Sequence, residues 1–366
     1  MHYKKIIHFL LILSLLVISC SKNPKVIEHG IFAPHRLESV IGQDGVCSID
    51  FDDKITFWTF ADTILGNWKN EDKIVSGIIK DDAVFKDMIS NSLAWTVKAD
   101  KENIFNPEFN FISEKGEVAP FIKNRKDEDS LKHRLWAVDG IRLNNKLYVY
   151  YLHMYVPDPD KFLEFETRYV GLAKWEIPDK WQPGDPVDFK RIVNLFENNP
   201  PAFGSSVIQR NGYIYTAGHY KGEGLNFPIK IARVKPDNIE EIKSYTFLKA
   251  DGSWTDDIKE AEPFLDDVSG ECSIAWNEYL KQYVIIYARV FAGEIVLVRF
   301  KNFNDLASAK KRIIYKIPEE AKGQMWPYSG KEIFSTGNKI FMIYINPDIY
   351  QPMLLEIRLK PYFKLF

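Results

Sequence analysis

Positive charge is not in excess along this 366-residue chain: 48 Lys and Arg stand against 50 Asp and Glu, for a net charge of −2. A nucleic-acid binder carries a basic face, so composition offers no footprint for one and no nucleic acid is expected as a partner. Long runs of one sign are missing as well; residues 123–132 mix both signs, as a solvated loop does. Cysteine is scarce. Cys20, Cys47 and Cys272 are too few for a disulfide scaffold, and no spacing of Cys and His matches a metal site. No metal and no cofactor are expected. Cys47 and Cys272 lie in alternating, strand-like segments, where buried free thiols and a single bridge are both open readings. Helical periodicity is also sparse; residues 82–88 and 304–310 are the best candidates, and both are short.

Long apolar runs occur in one place. Lys4 and Lys5 precede an apolar stretch over residues 6–18. About a dozen residues cannot cross a ~30 Å hydrocarbon core as a helix, so the stretch reads as the core of a signal peptide. It ends in Val17-Ile18-Ser19-Cys20, which resembles the lipobox of bacterial lipoproteins: an aliphatic residue, a small residue, then the acceptor cysteine. An ordinary secretory signal with a chance cysteine is the alternative. Ser21-Lys22-Asn23-Pro24 would follow as a tether. The expected organisation is a signal peptide over 1–19, lipidated Cys20 with a tether to residue 30, and one domain over 31–366. That domain would be exported and held at a membrane by its lipid.

Aromatic residues, by contrast, are plentiful: 9 Trp, 18 Tyr and 25 Phe. They sit in short alternating runs separated by turn residues, for example residues 46–51, 55–60, 146–151, 213–217, 283–287, 295–300 and 339–345. This pattern predicts an all-β class. Five hairpins then share one outline, a small or acidic residue near a glycine, a strand, a polar turn and an aromatic-rich strand. They start at Asp44-Gly45, Asp139-Gly140, Gly204-Ser205, Gly270-Glu271 and Gly330-Lys331. The starts lie about 60 to 95 residues apart, which leaves room for two further strands in each unit. Four-stranded units around a centre describe a β-propeller, here a five-bladed one. The last unit lacks a fourth strand, and residues 26–32 or 35–40 could return to close the ring.

In such a ring the first strand of each blade lines the axis, and the antiparallel second strand returns to the same mouth. Asp44 and Asp62 lie at equal remove from the turn at Asp52-Asp53, so they share one rim on neighbouring strands. Asp139 and Glu271 hold the matching strand starts of other blades, and His153, His219 and Arg289 lie near second-strand ends. Singly, each Asp is ordinary turn chemistry. Together, like charges held close force one carboxyl to keep its proton beside an ionised partner. Two carboxylates flanking a bond are what glycoside hydrolysis requires. Trp95, Trp136 and Trp326 could offer apolar faces to sugar rings or simply pack the blades, and His153 and His219 could bind substrate or satisfy a rim hydrogen bond.

Gly42-Gln43-Asp44-Gly45, followed by residues 55–63 reading Ile-Thr-Phe-Trp-Thr-Phe-Ala-Asp-Thr, resembles the signature of a propeller family long catalogued as a domain of unknown function. Members of that family are now associated with endo-D-arabinanase activity. Ala61 stands where the family pattern has glycine, and Asn91-Ser92 resembles a polar pair of the family. The resemblance implies that Asp44 and Asp62 are the catalytic pair, one protonating the leaving oxygen and the other activating water or attacking the anomeric carbon. Asp139, Glu271, His153, His219, Asn91, Trp95 and Trp136 are the substrate-binding candidates. The expectation is an endo-acting hydrolase of a furanose polymer, D-arabinan of mycobacterial-type arabinogalactan or lipoarabinomannan, inverting and monomeric. A non-cutting glycan-binding lipoprotein, or a propeller enzyme on another polysaccharide, stays open. A sialidase is disfavoured because Arg134, Arg142 and Arg289 are scattered rather than clustered, and a lyase built on His153 and Tyr151 has no further support.

Overall fold

The computed structural model describes residues 24–34, 39–70, 78–98, 105, 107–158, 164–223, 227–319 and 326–361. The signal peptide and Cys20 lie outside the described residues. From the N-terminus, β1 (Lys25–Ile31) and β2 (Val40–Gln43) precede the first blade. That blade is built from β3 (Cys47–Asp50) and β4 (Ile55–Phe60); β5 (Thr63–Trp68) and β6 (Ala83–Ile89) then leave it, and β7 (Ser92–Val97) and β8 (Asn110–Phe111) complete it. A small ribbon, β9 (Ser113–Glu114) with β10 (Glu117–Val118), leads onward. The second blade is β11 (His133–Leu143), β12 (Lys146–Tyr155), β13 (Glu166–Glu176) and β14 (Lys190–Glu197). The third is β15 (Ser206–Arg210), β16 (Tyr213–His219), β17 (Ile229–Val234), β18 (Thr246–Leu248) and β19 (Trp254–Thr255). The fourth is β20 (Val268–Asn277), β21 (Gln282–Arg289), β22 (Glu294–Phe300) and β23 (Lys310–Lys316). The fifth is β24 (Tyr328–Thr336), β25 (Lys339–Asn346) and β26 (Gln351–Arg358), with β1 antiparallel to β26 as its outer strand.

The fold is therefore an all-β, five-bladed propeller whose N-terminal strand closes the C-terminal blade. Residues 25–30, expected as part of a tether, instead belong to β1 and pair with Arg358 through Leu354. Of the two segments offered for the closing strand, the earlier one supplies it. A second correction concerns residues 82–88. Residues 83–89 form β6, not a helix, because its backbone pairs with β5 and leaves Val84 and Phe85 exposed. The β5–β6 excursion, which also carries β2, sits between the second and third strands of the first blade and accounts for the longest repeat interval.

The first strands β3, β11, β15, β20 and β24 touch one another in turn and return to β3, so they form the wall of a central channel. Packing follows the same count. Five apolar clusters fill five seams, one between each pair of adjacent blades. Strand alternation divides the labour: on β4, Phe57 enters the seam with the second blade, while its neighbour Trp58 enters the seam with the fifth. Each fully buried aromatic such as Phe57 contributes about 2–3 kcal/mol by removal from water. At the foot of β3 and β4, Asp52 Oδ1 accepts the Lys54 and Ile55 amides at 2.7 and 2.8 Å, the side-chain turn that pins this hairpin's register.

Candidate active site

The β3–β4 ladder continues past both strands to the rim. The Ala61 amide donates to the Asp44 carbonyl at 3.0 Å, and the Asp44 amide donates to the Asp62 carbonyl at 3.2 Å. Gly45 is required at this corner: its φ is +60°, and a Cβ there would lie 2.6 Å from the Ala61 Cβ. The motif residues on either side are structural. Buried Gln43 donates to Ser92 Oγ at 3.1 Å and Thr63 Oγ1 at 3.4 Å, and Thr63 and Ser92 share a 2.8 Å bond. These bonds clamp both ends of the hairpin, so the two carboxylates are delivered as a pair.

Their surroundings differ. Asp44 Oδ2 accepts hydroxyl donors from Tyr328 at 2.9 Å and Tyr350 at 2.8 Å, while its Oδ1 is enclosed without a side-chain partner among the described residues. Asp62 Oδ1 accepts from Trp136 Nε1 at 3.0 Å and has the Arg134 guanidinium 4.0 Å away. Burial raises both carboxyls, and the Asp44 charge adds to the rise of Asp62, which reaches about 7. The rise of Asp44 is opposed by its two tyrosines, by a backbone hydrogen bond from Asp62 and by the Lys331 charge, whereas that of Asp62 is opposed by Arg134 and Trp136. Burial holds both tyrosine hydroxyls well above their ordinary range, so they stay donors.

Below the pair, the channel axis is filled by polar groups. Lys331, buried on β24, forms an ion pair with Glu271 and donates to Cys47 Sγ at 2.8 Å. Asp139 accepts the Gly140 and Val207 amides at 2.8 and 2.7 Å, which ties the second blade to the third; burial lifts its carboxyl to about 7. His219 has Nδ1 enclosed without a partner among the described residues, and burial lowers it to about 4 with help from the Lys331 charge. Cys47 and Cys272 are free thiols, and burial pushes them to about 11 and 12.

Of the candidates read from sequence, the structure brings Asp44, Asp62 and Trp136 into one constellation, with Asp139, Glu271 and His219 grouped around Lys331. Four others fall elsewhere. Asn91 is fully buried and spends both amide hydrogens on the Ile122 and Leu135 carbonyls while its Oδ1 accepts the Ile122 amide, so it is out of reach of a sugar. Trp95, on the third strand of its blade, packs in the seam between the first two blades. His153 bonds His133 at 2.9 Å and lies edge-on to Tyr169, in a pocket with Glu128 and Arg191 rather than with the aspartates. Trp326 is exposed and meets Phe291 edge-on at 6.5 Å. The arginines stay apart: Arg134 joins Asp62, Arg289 pairs with Asp267 and Glu294, and Arg142 caps the Phe51 carbonyl at the far end.

Sequence reading missed Tyr328, Tyr350 and Lys331. Tyr328 and Lys331 flank the Ser329-Gly330 of the fifth repeat, so alignment of the repeats could have found them. Tyr350 had no such signal; it sits in the β25–β26 turn at φ +52°, a left-handed conformation rare for tyrosine. A cavity of about 1070 Å³ opens at the opposite end of the channel, lined by Arg142, Arg210, Trp276 and Glu278 among others. Of the candidate residues only Asp139 borders it, so the cavity is separate from the aspartate pair.

Residues 40–356 match the family described as Domain of unknown function (DUF4185). No curated protein matches the chain. Among solved structures, the chain is similar to a candidate hydrolase from Bacteroides ovatus, at 16% identity and a TM-score of 0.65 over 87% of this chain and 86% of that one. It is also similar to an alpha-L-arabinofuranosidase from Lactobacillus brevis, at 11% identity and a TM-score of 0.50 over 89% of this chain and 94% of that one. At these identities the likeness is one of fold.

Proposed function

This chain belongs to the DUF4185 family, and from that premise we propose that it is an endo-acting glycoside hydrolase whose catalytic pair is Asp44 and Asp62. The observation that carries the reading is the unequal environment of two coupled carboxyls at one mouth of the channel. Asp62, held near 7 with its proton, is suited to protonate the leaving oxygen. Asp44, whose ionised form is favoured by two tyrosine hydroxyls on Oδ2, is suited to take a proton from attacking water. As Asp62 releases its proton, Trp136 and Arg134 stabilise the charge that forms. Metal is not needed for these roles.

The favoured substrate is a furanose polymer, D-arabinan first, with inversion at the anomeric carbon. The motif resemblance over residues 42–63 supports this, and the alpha-L-arabinofuranosidase from Lactobacillus brevis is a furanosidase of similar fold. The N-terminal pattern ending in Ser19-Cys20 supports export and lipid anchoring at the outer membrane or cell surface, where intact polysaccharide is accessible. Intact-mass measurement of membrane-purified protein tests the anchor; an unacylated Cys20 would refute it.

The experiment on function is digestion of a polysaccharide panel led by D-arabinan, with new reducing ends counted. Wild type should generate oligosaccharides, and folded Asp44→Asn and Asp62→Asn should each lose roughly 10²–10⁴-fold. Full activity in both variants sinks the assignment. Binding without new reducing ends from any polymer would replace the hydrolase with a glycan-binding protein.

A further inference from the structure

Lys331 lies where the blades converge behind the aspartates. Its side chain is 3% exposed and contacts Glu271 of the fourth blade and Cys47 of the first, with Asp139 of the second and His219 of the third within its field. A buried ammonium is costly to desolvate, and an apolar plug of similar size would fill the same space at no such cost. The strand that carries it is also irregular. On regular β-structure, Tyr328 and Lys331 would point to opposite faces, being three positions apart. The β24–β25 register shifts between those two residues, and Ser329 has φ +49°. The kink turns both side chains to the start of β3, where Tyr328 bonds Asp44 and Lys331 bonds Cys47.

We propose that Lys331 is the fold's resident axial cation, a positioning residue that fastens the first, fourth and fifth blades and, from the same kink of β24 that brings Tyr328 onto Asp44, supplies positive charge behind that carboxyl. The proposal deepens the hydrolase reading and rests on it for its catalytic meaning. The groups that face Asp44 are Tyr328 and Lys331 from β24, Tyr350 from the β25–β26 turn, and Asp62 beyond β4. Two of these donate hydrogen bonds, one is a competing acid, and Lys331 supplies positive charge. Glu271 tempers that charge through its ion pair. In the proposed reaction Lys331 touches neither sugar nor water; it acts through Asp44.

The test is a carboxyl-carbon NMR titration of uniformly labelled protein, with Asp44 assigned by its loss in Asp44→Asn. Glu271→Gln keeps a hydrogen-bond acceptor for Lys331 and removes the opposing charge, so the Asp44 midpoint should fall. Lys331→Met, and Lys331→Met with Glu271→Gln, which leaves no orphaned charge, should raise it by about one unit. Lys331→Arg, which conserves the charge, should restore a near-native midpoint. An unmoved Asp44 midpoint in folded Glu271→Gln, or in whichever Lys331→Met variant folds, overturns the proposal. Because no substrate enters this titration, its failure is separate from a failure to cut arabinan.

Discussion

Trp136 Nε1 donates to Asp62 Oδ1 at 3.0 Å across 74 positions of sequence, so the second blade completes a site that the first blade begins. The bond favours the ionised form of Asp62, the form it takes on after giving up its proton. Trp136→Phe keeps the ring and deletes the donor. Asp62 should then titrate above its present value of about 7. The alkaline limb of the kcat/KM profile for glycan cleavage under the proposed function should move up by roughly half a unit or more, and kcat should fall about tenfold. An unchanged limb in a folded variant would show that Asp62 is not the acid being titrated.

Asp62 also links pH to stability. Burial and the Asp44 charge lift its carboxyl to about 7 in the folded protein from an ordinary value of 3.8, so between those values the folded state holds a proton that the unfolded state has lost. Stability should therefore decline as pH rises through about 4 to 7. Asp62→Asn abolishes this contribution. The variant should be more stable than wild type by roughly 1–3 kcal/mol at pH 8 and little different at pH 4, while being catalytically impaired. Calorimetric melts at the two pH values check the sign. A variant less stable at pH 8 would contradict it.

The two tyrosines on Asp44 act on one oxygen, Oδ2, and should not be additive. Tyr328→Phe and Tyr350→Phe should each raise the acid limb of the pH–rate profile and reduce kcat about 3- to 30-fold. The double variant should lose a product of rates different from that of the singles, because the remaining donor compensates for the missing one. Strict additivity would indicate two independent roles.

Gly45 faces a steric test of its own. Gly45→Ala places a methyl 2.6 Å from the Ala61 Cβ at a backbone φ of +60°, and should cost about 1–3 kcal/mol. Adding Ala61→Gly relieves the clash but not the dihedral strain, so chemical denaturation of the double variant should show partial recovery. No recovery would assign the whole cost to the backbone.

The β-class, five repeats and the pairing of Asp44 with Asp62 were legible because each depends on local pattern: alternation with period two, recurring turn residues and equal distance from one turn. The helix expected over residues 82–88 is largely strand β6 because a short segment with no buried face gives weak periodicity, and pairing with β5 decided its conformation. His153 lies near the end of its strand, as its sequence position implies, but apart from the aspartates it was expected to join. Strand-end position is a one-dimensional fact, whereas the side of the blade it faces depends on the register, which sets His153 opposite Leu135 and Tyr169. Asn91 was noticed as a motif residue, yet its chemistry is spent on the backbone of the segment that leads into the second blade.

The sequence alone determined that a carboxylate hairpin would form and that its two acids would share a rim, since the distances along one turn and two strands are set by covalent geometry. Tertiary structure decided what each acid can do. Tyr328 and Tyr350 arrive from 284 and 306 positions away to favour the ionised form of one, while Trp136 and Arg134 attend the other. Ring closure brings those groups to the rim, and it is completed only when β1 pairs with β26. The strength of a carboxyl as acid or base depends on burial and on neighbouring donors, and those exist only once the five blades meet.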